Sequence, residues 1–230
     1  MRKKILRHRL LVIGCWLLVI SLTGCGTVTG LHKRNREQAA TIISLSNEIE
    51  RLSTEVSRLA DAEAGLARAK SELERRLKKE IAKGKLEVEM GERGLVVTMV
   101  AEVMFDPGKT VIKDPAMNTL TKIASVLNSR DVRENLVFVE GHTDNVPIKY
   151  SGFKSNWELS TARATEILHF LIGNCNVKPE RLSATGYGKY RPRDTNETEE
   201  GRTRNRRVQI VISLRKLAEL TAKKEPKYVK

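Results

Sequence analysis

The sequence predicts a mixed α/β fold, a two-layer sandwich, preceded by a long coiled-coil helix. Three observations predict it. Apolar residues step by three and four from Ile42 to Leu77, the spacing of a helical seam. From Lys85 the period changes to two, the spacing of strands. The segments that follow read as strands, helix, strand, helix, strand, strand, which suggests two helices on one face of a sheet. Composition agrees with a chain that is not one compact core: of 230 residues only 4% are aromatic while 30% are charged, so part of it is extended or solvated.

The N-terminus reads as an address. Five basic residues (Arg2, Lys3, Lys4, Arg7, Arg9) precede an apolar run of 13 residues, 10–22, and no acid occurs before Cys25. The run is short against the roughly 20 residues a membrane span needs, and it fits the apolar region of a secretory signal peptide. Leu22-Thr23-Gly24-Cys25 resembles a bacterial lipobox, whose cysteine thiol takes a diacylglyceryl group and becomes the new N-terminus. An ordinary signal peptide, or a short anchor with an incidental cysteine, is the alternative. Val12-Ile13-Gly14-Cys15 is a weaker match that leaves too short an apolar region. By resemblance to other lipoproteins, Gly26 rather than Asp after the cysteine implies sorting to the outer membrane, facing the periplasm; an inner-membrane location is the alternative. Acyl chains hold through their buried CH₂ groups.

The helical seam places Ile42, Ile49, Val56 and Leu77 at position a, and Leu45, Leu52, Leu59, Leu66 and Leu73 at position d. β-branched residues at a with Leu at d favour a parallel dimer. Glu63 and Lys70 weaken the seam at two a positions. The alternative is a single amphipathic helix packed on the C-terminal domain. A helix over 41–82 would reach roughly 60 Å, and Gly84 is its expected end.

Beyond it, Leu86, Val88 and Met90 alternate with Glu87 and Glu89, and 95–100 is a second strand across the turn Gly91-Glu92-Arg93-Gly94. Asp114-Pro115 starts a helix, with Asp as N-cap and Pro as first residue, and Leu120, Ile123, Ala124 and Leu127 share its apolar face. Residues 136–139 form a buried strand. Ser155-Asn156-Trp157-Glu158 matches a capping box; Ala164, Ile167, Leu168 and Leu171 face inward on the helix it opens. Residues 182–187 and 208–214 are further strands. Residues 132–135 and 191–204 read as solvated loops. The expected organisation is therefore a signal peptide over 1–24, a linker over 25–40, a coiled spacer over 41–84, a globular domain over 85–216 and a basic tail over 217–230.

Val139-Glu140-Gly141-His142-Thr143-Asp144-Asn145, with Leu159-Ser160-Thr161-Ala162-Arg163-Ala164, Gly186-Tyr187-Gly188 and Asn205-Arg206-Arg207-Val208, resembles the OmpA-like peptidoglycan-binding domain, over about 104–214. Asp144-Asn145-Val146-Pro147-Ile148 and Ser155-Asn156-Trp157-Glu158-Leu159-Ser160 are closest in flavour to flagellar stator B proteins. Peptidoglycan-associated lipoproteins have a shorter loop where Asp144 and Arg163 here stand 19 positions apart. The resemblance implies an OmpA-like fold and non-covalent binding of peptidoglycan through the diaminopimelate of its stem peptide. Asp144 would take the ammonium of that side chain and Arg163 its carboxylate. A guanidinium suits the second role because its planar fork meets a carboxylate at two points. By the same resemblance Phe105 and Asp106 form another edge of the site, Thr143 and Asn145 shape the loop and Leu159 lines the pocket. Arg206 and Arg207 match a basic pair; Arg207 is carried as the site residue, although which of the two supports Asp144 is open. Cys25 is the lipidation site. The bland alternative for each is a turn residue at Asp144 and a helix-surface charge at Arg163.

Other functions fit less well. The four histidines (His8, His32, His142, His169) form no HExxH motif or Ser/His/Asp arrangement, so no enzyme, metal site or cofactor is expected; His142 reads as a satisfied turn residue. The cysteines, Cys15, Cys25 and Cys175, have neither zinc nor redox spacing and imply no disulfide framework. A stator subunit needs an acidic residue inside a membrane helix, and 10–22 has none. Net charge is +14, and the chain from Cys25 onward holds 37 basic and 28 acidic residues. That surface could attract any polyanion, but poor aromatic interleaving and a secretory address argue against nucleic acid. The expected partners are peptidoglycan, a membrane through the lipid anchor and a second copy through the coil.

Overall fold

A computed structural model describes residues 2–148 and 152–216, with side chains from residue 30 to residue 214 within those spans. The side chains of the expected signal peptide, Cys25 and most of the basic tail's neighbourhood lie outside the described residues, as does the tail itself.

The chain divides into two units, Met1–Arg58 and Leu59–Lys230. Helix α1 runs Arg2–Arg76 and is followed by a short helix α2, Lys78–Ala82. The seam residues along α1 have two environments. Ile42, Leu45, Ile49, Leu52 and Val56, in the first unit, are exposed. Leu66, Leu73 and Leu77, in the second, are fully buried in the domain core. Of the two readings of the seam, the packed amphipathic helix holds from Leu66, while the seam residues from Ile42 to Val56 are exposed. Gly65 permits this contact: a Cβ there would stand 2.9 Å from the Asp131 carbonyl oxygen.

The strands are β1 (Leu86–Gly91), β2 (Gly94–Val100), β3 (Asn135–His142), β4 (Leu182–Gly186) and β5 (Arg207–Lys216). They form one sheet in the order β1-β2-β5-β3-β4, antiparallel except for the parallel pair β3 and β4. Register builds the core. Leu95 and Val137 flank Ile212, Val97 and Val139 flank Ile210, and Met99 and Gly141 flank Val208. These rows share a face, because side chains alternate along a strand. Helices α4 (Asp114–Leu127) and α5 (Asn156–Gly173) close that face with Leu120, Ile123, Leu127, Ala164, Ile167 and Leu171. This is the mixed sheet-and-helix architecture expected.

Local details differ in physically readable ways. Lys113, not Asp114, takes the N-cap position of α4, and no side chain caps it; Asp114 is the first helical residue, where a carboxylate meets the positive end of the helix dipole. At α5 the expected cap forms: the Ser155 hydroxyl accepts from the Trp157 backbone amide at 3.2 Å and donates to Glu158. Residues 132–135 are not a solvated loop, since Val132 and Asn135 are buried and Asn135 Nδ2 donates to the Ser213 carbonyl at 2.7 Å. Nor is 191–204 all loop. Thr198 caps a short helix α6, Glu199–Asn205, by accepting from the Gly201 amide. The buried Asn205 side chain accepts from the amides of Arg193 and Asp194. A run of polar residues hid this because its order comes from one buried amide rather than an apolar stripe. A last short helix, α3, spans Ala101–Met104.

Candidate functional site

Three chain segments meet beyond the C-terminal end of β3. The first is the loop after α3. Asp106-Pro107-Gly108-Lys109 folds as a turn, with Gly108 at φ +69° and the Lys109 amide donating to the Asp106 carbonyl at 3.0 Å. Proline followed by a positive-φ glycine is the type II pattern. The second is the continuation of β3, residues 143–148. The Thr143 amide donates to the Gly188 carbonyl and the Tyr187 amide to the Gly141 carbonyl, both at 2.9 Å, so the Gly186-Tyr187-Gly188 element fixes its course. The third is the first half of α5. It lies directly on the sheet because Gly141 and Gly186 have no Cβ: one added there would meet Ser160 backbone at 2.1 Å or Thr161 at 2.2 Å.

A cavity of about 270 Å³ opens among them, lined by Glu102, Phe105, Thr143, Asp144, Leu159 and Arg163, by Asn156 and Arg206, and by the apolar run Val146, Pro147 and Ile148. Asp144 and Arg163 are 7% and 6% exposed, so both charges sit largely out of water. Arg163 is held by backbone: Nε donates to the Lys109 carbonyl at 3.0 Å and Nη2 to the Asp106 carbonyl at 3.2 Å. Its guanidinium stacks over Phe105, 5.0 Å from the ring centroid. Among the described residues nothing bonds its Nη1. Burial, then repulsion from Arg206, lowers its pKa from the ordinary value, against the pull of Asp144. Asp144 Oδ1 accepts from the Val146 amide at 3.1 Å and Oδ2 from Arg206 Nη1 at 2.6 Å. Asn156 Nδ2 braces the loop by donating to the carbonyls of Asp144 and Val146.

Of the residues expected in the site, Asp144, Arg163, Thr143, Leu159 and Phe105 converge on the cavity. Asp106 contributes its carbonyl, while its carboxylate turns outward to Lys113 and Lys109; the Lys113 ammonium holds its pKa below the ordinary value. Asn145 is exposed and does not line the cavity.

The basic pair is resolved in favour of Arg206. It joins Asp144, Glu102 and Glu199. Burial opposes its charge, but those three carboxylates outweigh burial and raise its pKa above the ordinary value. Arg207, the member carried from the sequence, lies elsewhere. It donates to the Asn205 and Arg191 carbonyls, and burial lowers its pKa to about 10. Position explains the difference: Arg206 is the C-cap of α6, in a bend before β5, whereas Arg207 is the first residue of β5, paired with Val100 and His142. The basic pair itself was readable from the sequence. The roles of Glu102 and Glu199 were not, since each lies on a short helix without an apolar stripe.

His142 is not a turn residue. It ends β3, is buried, and stacks on Tyr187 at 5.1 Å, and among the described residues neither ring nitrogen has a hydrogen-bond partner. Burial, then Arg207, Arg191 and Arg93, lowers its pKa to about 3. It is a neutral packing group. Among the described residues no group of His, Cys, Asp or Glu could hold a metal ion.

Comparison with known proteins gives this geometry relatives. The chain is 38% identical over 147 residues to motility protein B of Bacillus subtilis, covering 64% of this chain and 56% of that protein. It thus spans about half the length of that relative. A solved structure described as a putative MotB-like protein from Desulfovibrio vulgaris superposes with a TM-score of 0.61 at 27% identity, covering 68% of this chain and 96% of the other. The cell wall anchor of the T6SS from Pseudomonas aeruginosa superposes with a TM-score of 0.55 at 36% identity, covering 61% and 96%. Residues 104–206, which contain every residue lining the cavity except the Ala101 and Glu102 edge, match the OmpA family, and the chain therefore carries an OmpA-family domain.

Proposed function

We propose that the chain is a lipid-anchored envelope protein that holds peptidoglycan non-covalently and so ties a membrane to the cell wall. One observation carries this reading: a cavity whose walls present a buried carboxylate, Asp144, and a buried guanidinium with an unused donor, Arg163. The free end of diaminopimelate bears an ammonium beside a carboxylate, the complementary pair. Asp144 accepts the ammonium, sharing with Arg206, and Arg163 Nη1 donates to the carboxylate. Leu159, 6% exposed, gives the cavity a buried apolar wall, and Asp144 and Arg163 are themselves largely out of water, which strengthens both contacts. The printed description of one neighbour as a cell wall anchor supports the same reading. Acylation at Cys25 supplies the membrane attachment, in the outer membrane by the Gly26 rule. The exposed seam from Ile42 to Val56 pairs with a second copy. No catalytic role, cofactor or nucleic acid is part of the proposal.

The test is sedimentation of the full chain, in detergent, with purified sacculi. Wild type should pellet with them, and a folded Asp144→Ala, Arg163→Ala variant should stay in solution. Wild type remaining in the supernatant would sink the reading. A second reading, a component working beside a flagellar motor, is favoured by the similarity to motility protein B. Swimming in soft agar by cells lacking the chain separates the two: unimpaired swimming removes it.

A further inference from the structure

Beside the cavity stands a pair of aromatic rings that peptide binding does not use. Trp157 and Tyr190 stack with centroids 5.1 Å apart and planes inclined by 24°. Trp157 remains 46% and Tyr190 62% exposed. The chain has few aromatics, two Trp, four Tyr and four Phe, so two large rings left in water are a costly use of them. Among the described residues from Leu59 onward, the exposed large apolar side chains are Leu59, Met90, Val111, Val146, Trp157 and Tyr190. Val146 lines the cavity, and Trp157 directly follows the lining residue Asn156. Three of these six, Val146, Trp157 and Tyr190, therefore lie at or beside the cavity.

The pair is also rigidly mounted. Trp157 sits in the first turn of α5, its amide held by the Ser155 cap. Tyr190 closes a turn through its amide to the Tyr187 carbonyl at 3.2 Å. Gly188, at φ +53°, supplies the left-handed backbone that this turn needs beside the first turn of α5. Groups fixed before binding lose little freedom on binding. Lys189 Nζ lies over the Tyr190 ring, 5.8 Å from its centroid, a polar donor within the platform.

We propose that Trp157 and Tyr190 form a saccharide platform that takes an N-acetylhexosamine ring of the glycan strand. This rests on the peptidoglycan reading and extends it from the stem peptide to the sugar. A pyranose presents a face of C–H groups whose slight positive charge suits the negative face of an aromatic ring. Its hydroxyls and acetamido group then project from the edges, toward water, the Tyr190 hydroxyl and Lys189. The connectivity fits, because the stem peptide is joined to the glycan and the platform adjoins the peptide cavity through Asn156.

The test is calorimetric titration of the full chain, in detergent, with two soluble ligands: a disaccharide carrying the stem tripeptide, and the free tripeptide. Wild type should bind the disaccharide form roughly fivefold more tightly. Trp157→Ala and Tyr190→Ala should erase that preference while free-tripeptide affinity stays within about twofold. Tyr190→Phe should retain it, since it keeps the ring face. Should Trp157→Ala fail to fold, Tyr190→Ala decides. Equal wild-type affinity for the two ligands overturns the platform and leaves the peptide site standing. So does a parallel loss of both affinities in the alanine variants, which makes the pair a support for the loop. Binding of neither ligand by wild type, together with failure to sediment with sacculi, removes the peptidoglycan reading and the platform with it.

Discussion

Arg181 and Arg163 are both buried, the first where β3 begins and the second beside the cavity beyond its end. Arg181 donates to the carbonyls of Asn135, Leu127 and Val132 at 2.7, 2.9 and 2.8 Å, using Nε, Nη1 and Nη2. Arg163 uses Nε and Nη2 for two carbonyls and keeps Nη1 unbonded among the described residues. Burial lowers the pKa of each, so burial alone does not separate a structural arginine from a binding one. Donor satisfaction separates these two, although not Arg207, whose buried Nε also has no partner among the described residues. A guanidinium whose whole fork is matched by carbonyls is a staple for three backbone segments. Arg163, anchored on one side and unmatched on the other, is the one proposed above to bind, and the cost of its incomplete pairing is what a ligand carboxylate would remove.

The largest expected effect is at the closed end. Arg181→Ala leaves three inward-facing carbonyls without a donor and should destabilise the domain by about 3 kcal/mol, read as a fall in thermal midpoint. Sacculus binding by the fraction that remains folded should be unchanged. A selective loss of binding instead would break the comparison.

His142 provides the next effect, through pH. Its folded pKa is about 3 against 6.5 for the free group. Below 6.5 the unfolded chain takes up a proton that the folded chain refuses. The penalty is absent at neutral pH and grows as pH falls toward 3, at up to about 1.4 kcal/mol per unit. Removing this histidine as His142→Gln should flatten the stability profile between pH 6 and pH 4 relative to wild type, as measured by denaturant titration. Parallel profiles would show that the ring is protonated in the folded state.

Arg206→Gln should follow, costing about 1–2 kcal/mol at neutral pH. It removes the partner of Asp144, Glu102 and Glu199 together, and at 21% side-chain exposure those pairs are only partly shielded. Arg207→Gln is the control: it should leave sacculus binding unaltered. If Arg207→Gln releases the chain from sacculi and Arg206→Gln does not, the assignment of the basic pair is reversed.

The smallest expected stability change sharpens the comparison most. Arg163→Lys retains the charge and should cost less than about 1 kcal/mol in stability, yet weaken sacculus binding by roughly tenfold, because an ammonium cannot hold two loop carbonyls and a ligand carboxylate with one planar fork. Arg181→Lys, by contrast, should damage stability without touching binding. Equal damage to stability from both lysine variants would show that Arg163 too is structural.

Much of this was legible in the sequence. The period-two runs at 86–90 and 208–214 marked strands, the Ser155 cap marked the start of α5, and the 139–145 and 159–164 motifs marked the cavity walls. What escaped has a common character. The Asn205-centred loop, the helix α6 and the Arg181 staple depend on single polar groups, Asn205, Thr198 and Arg181, rather than on an apolar stripe, and such groups leave no periodic trace. Asn145 and Arg207 were carried as site residues because they sit in the right motif. A motif gives proximity along the chain, whereas the course of the folded backbone, a bend at Asn145 and another at Arg206, decides which neighbour's side chain enters the cavity.

By itself, the sequence determined the main strands, the two longer helices of the domain and the helical seam, because hydrophobic period and local capping are properties of neighbouring residues; Asp144 and Arg163 were marked by the resemblance of their motifs to the OmpA-like domain. Tertiary structure decided which half of the seam is core, which arginine of the basic pair reaches Asp144, and that one buried guanidinium is satisfied while the other keeps a donor. Those outcomes turn on distances between segments far apart in the chain. Only packing sets such distances: the close approach of α5 to Gly141 and Gly186, and of α1 to the Asp131 carbonyl at Gly65.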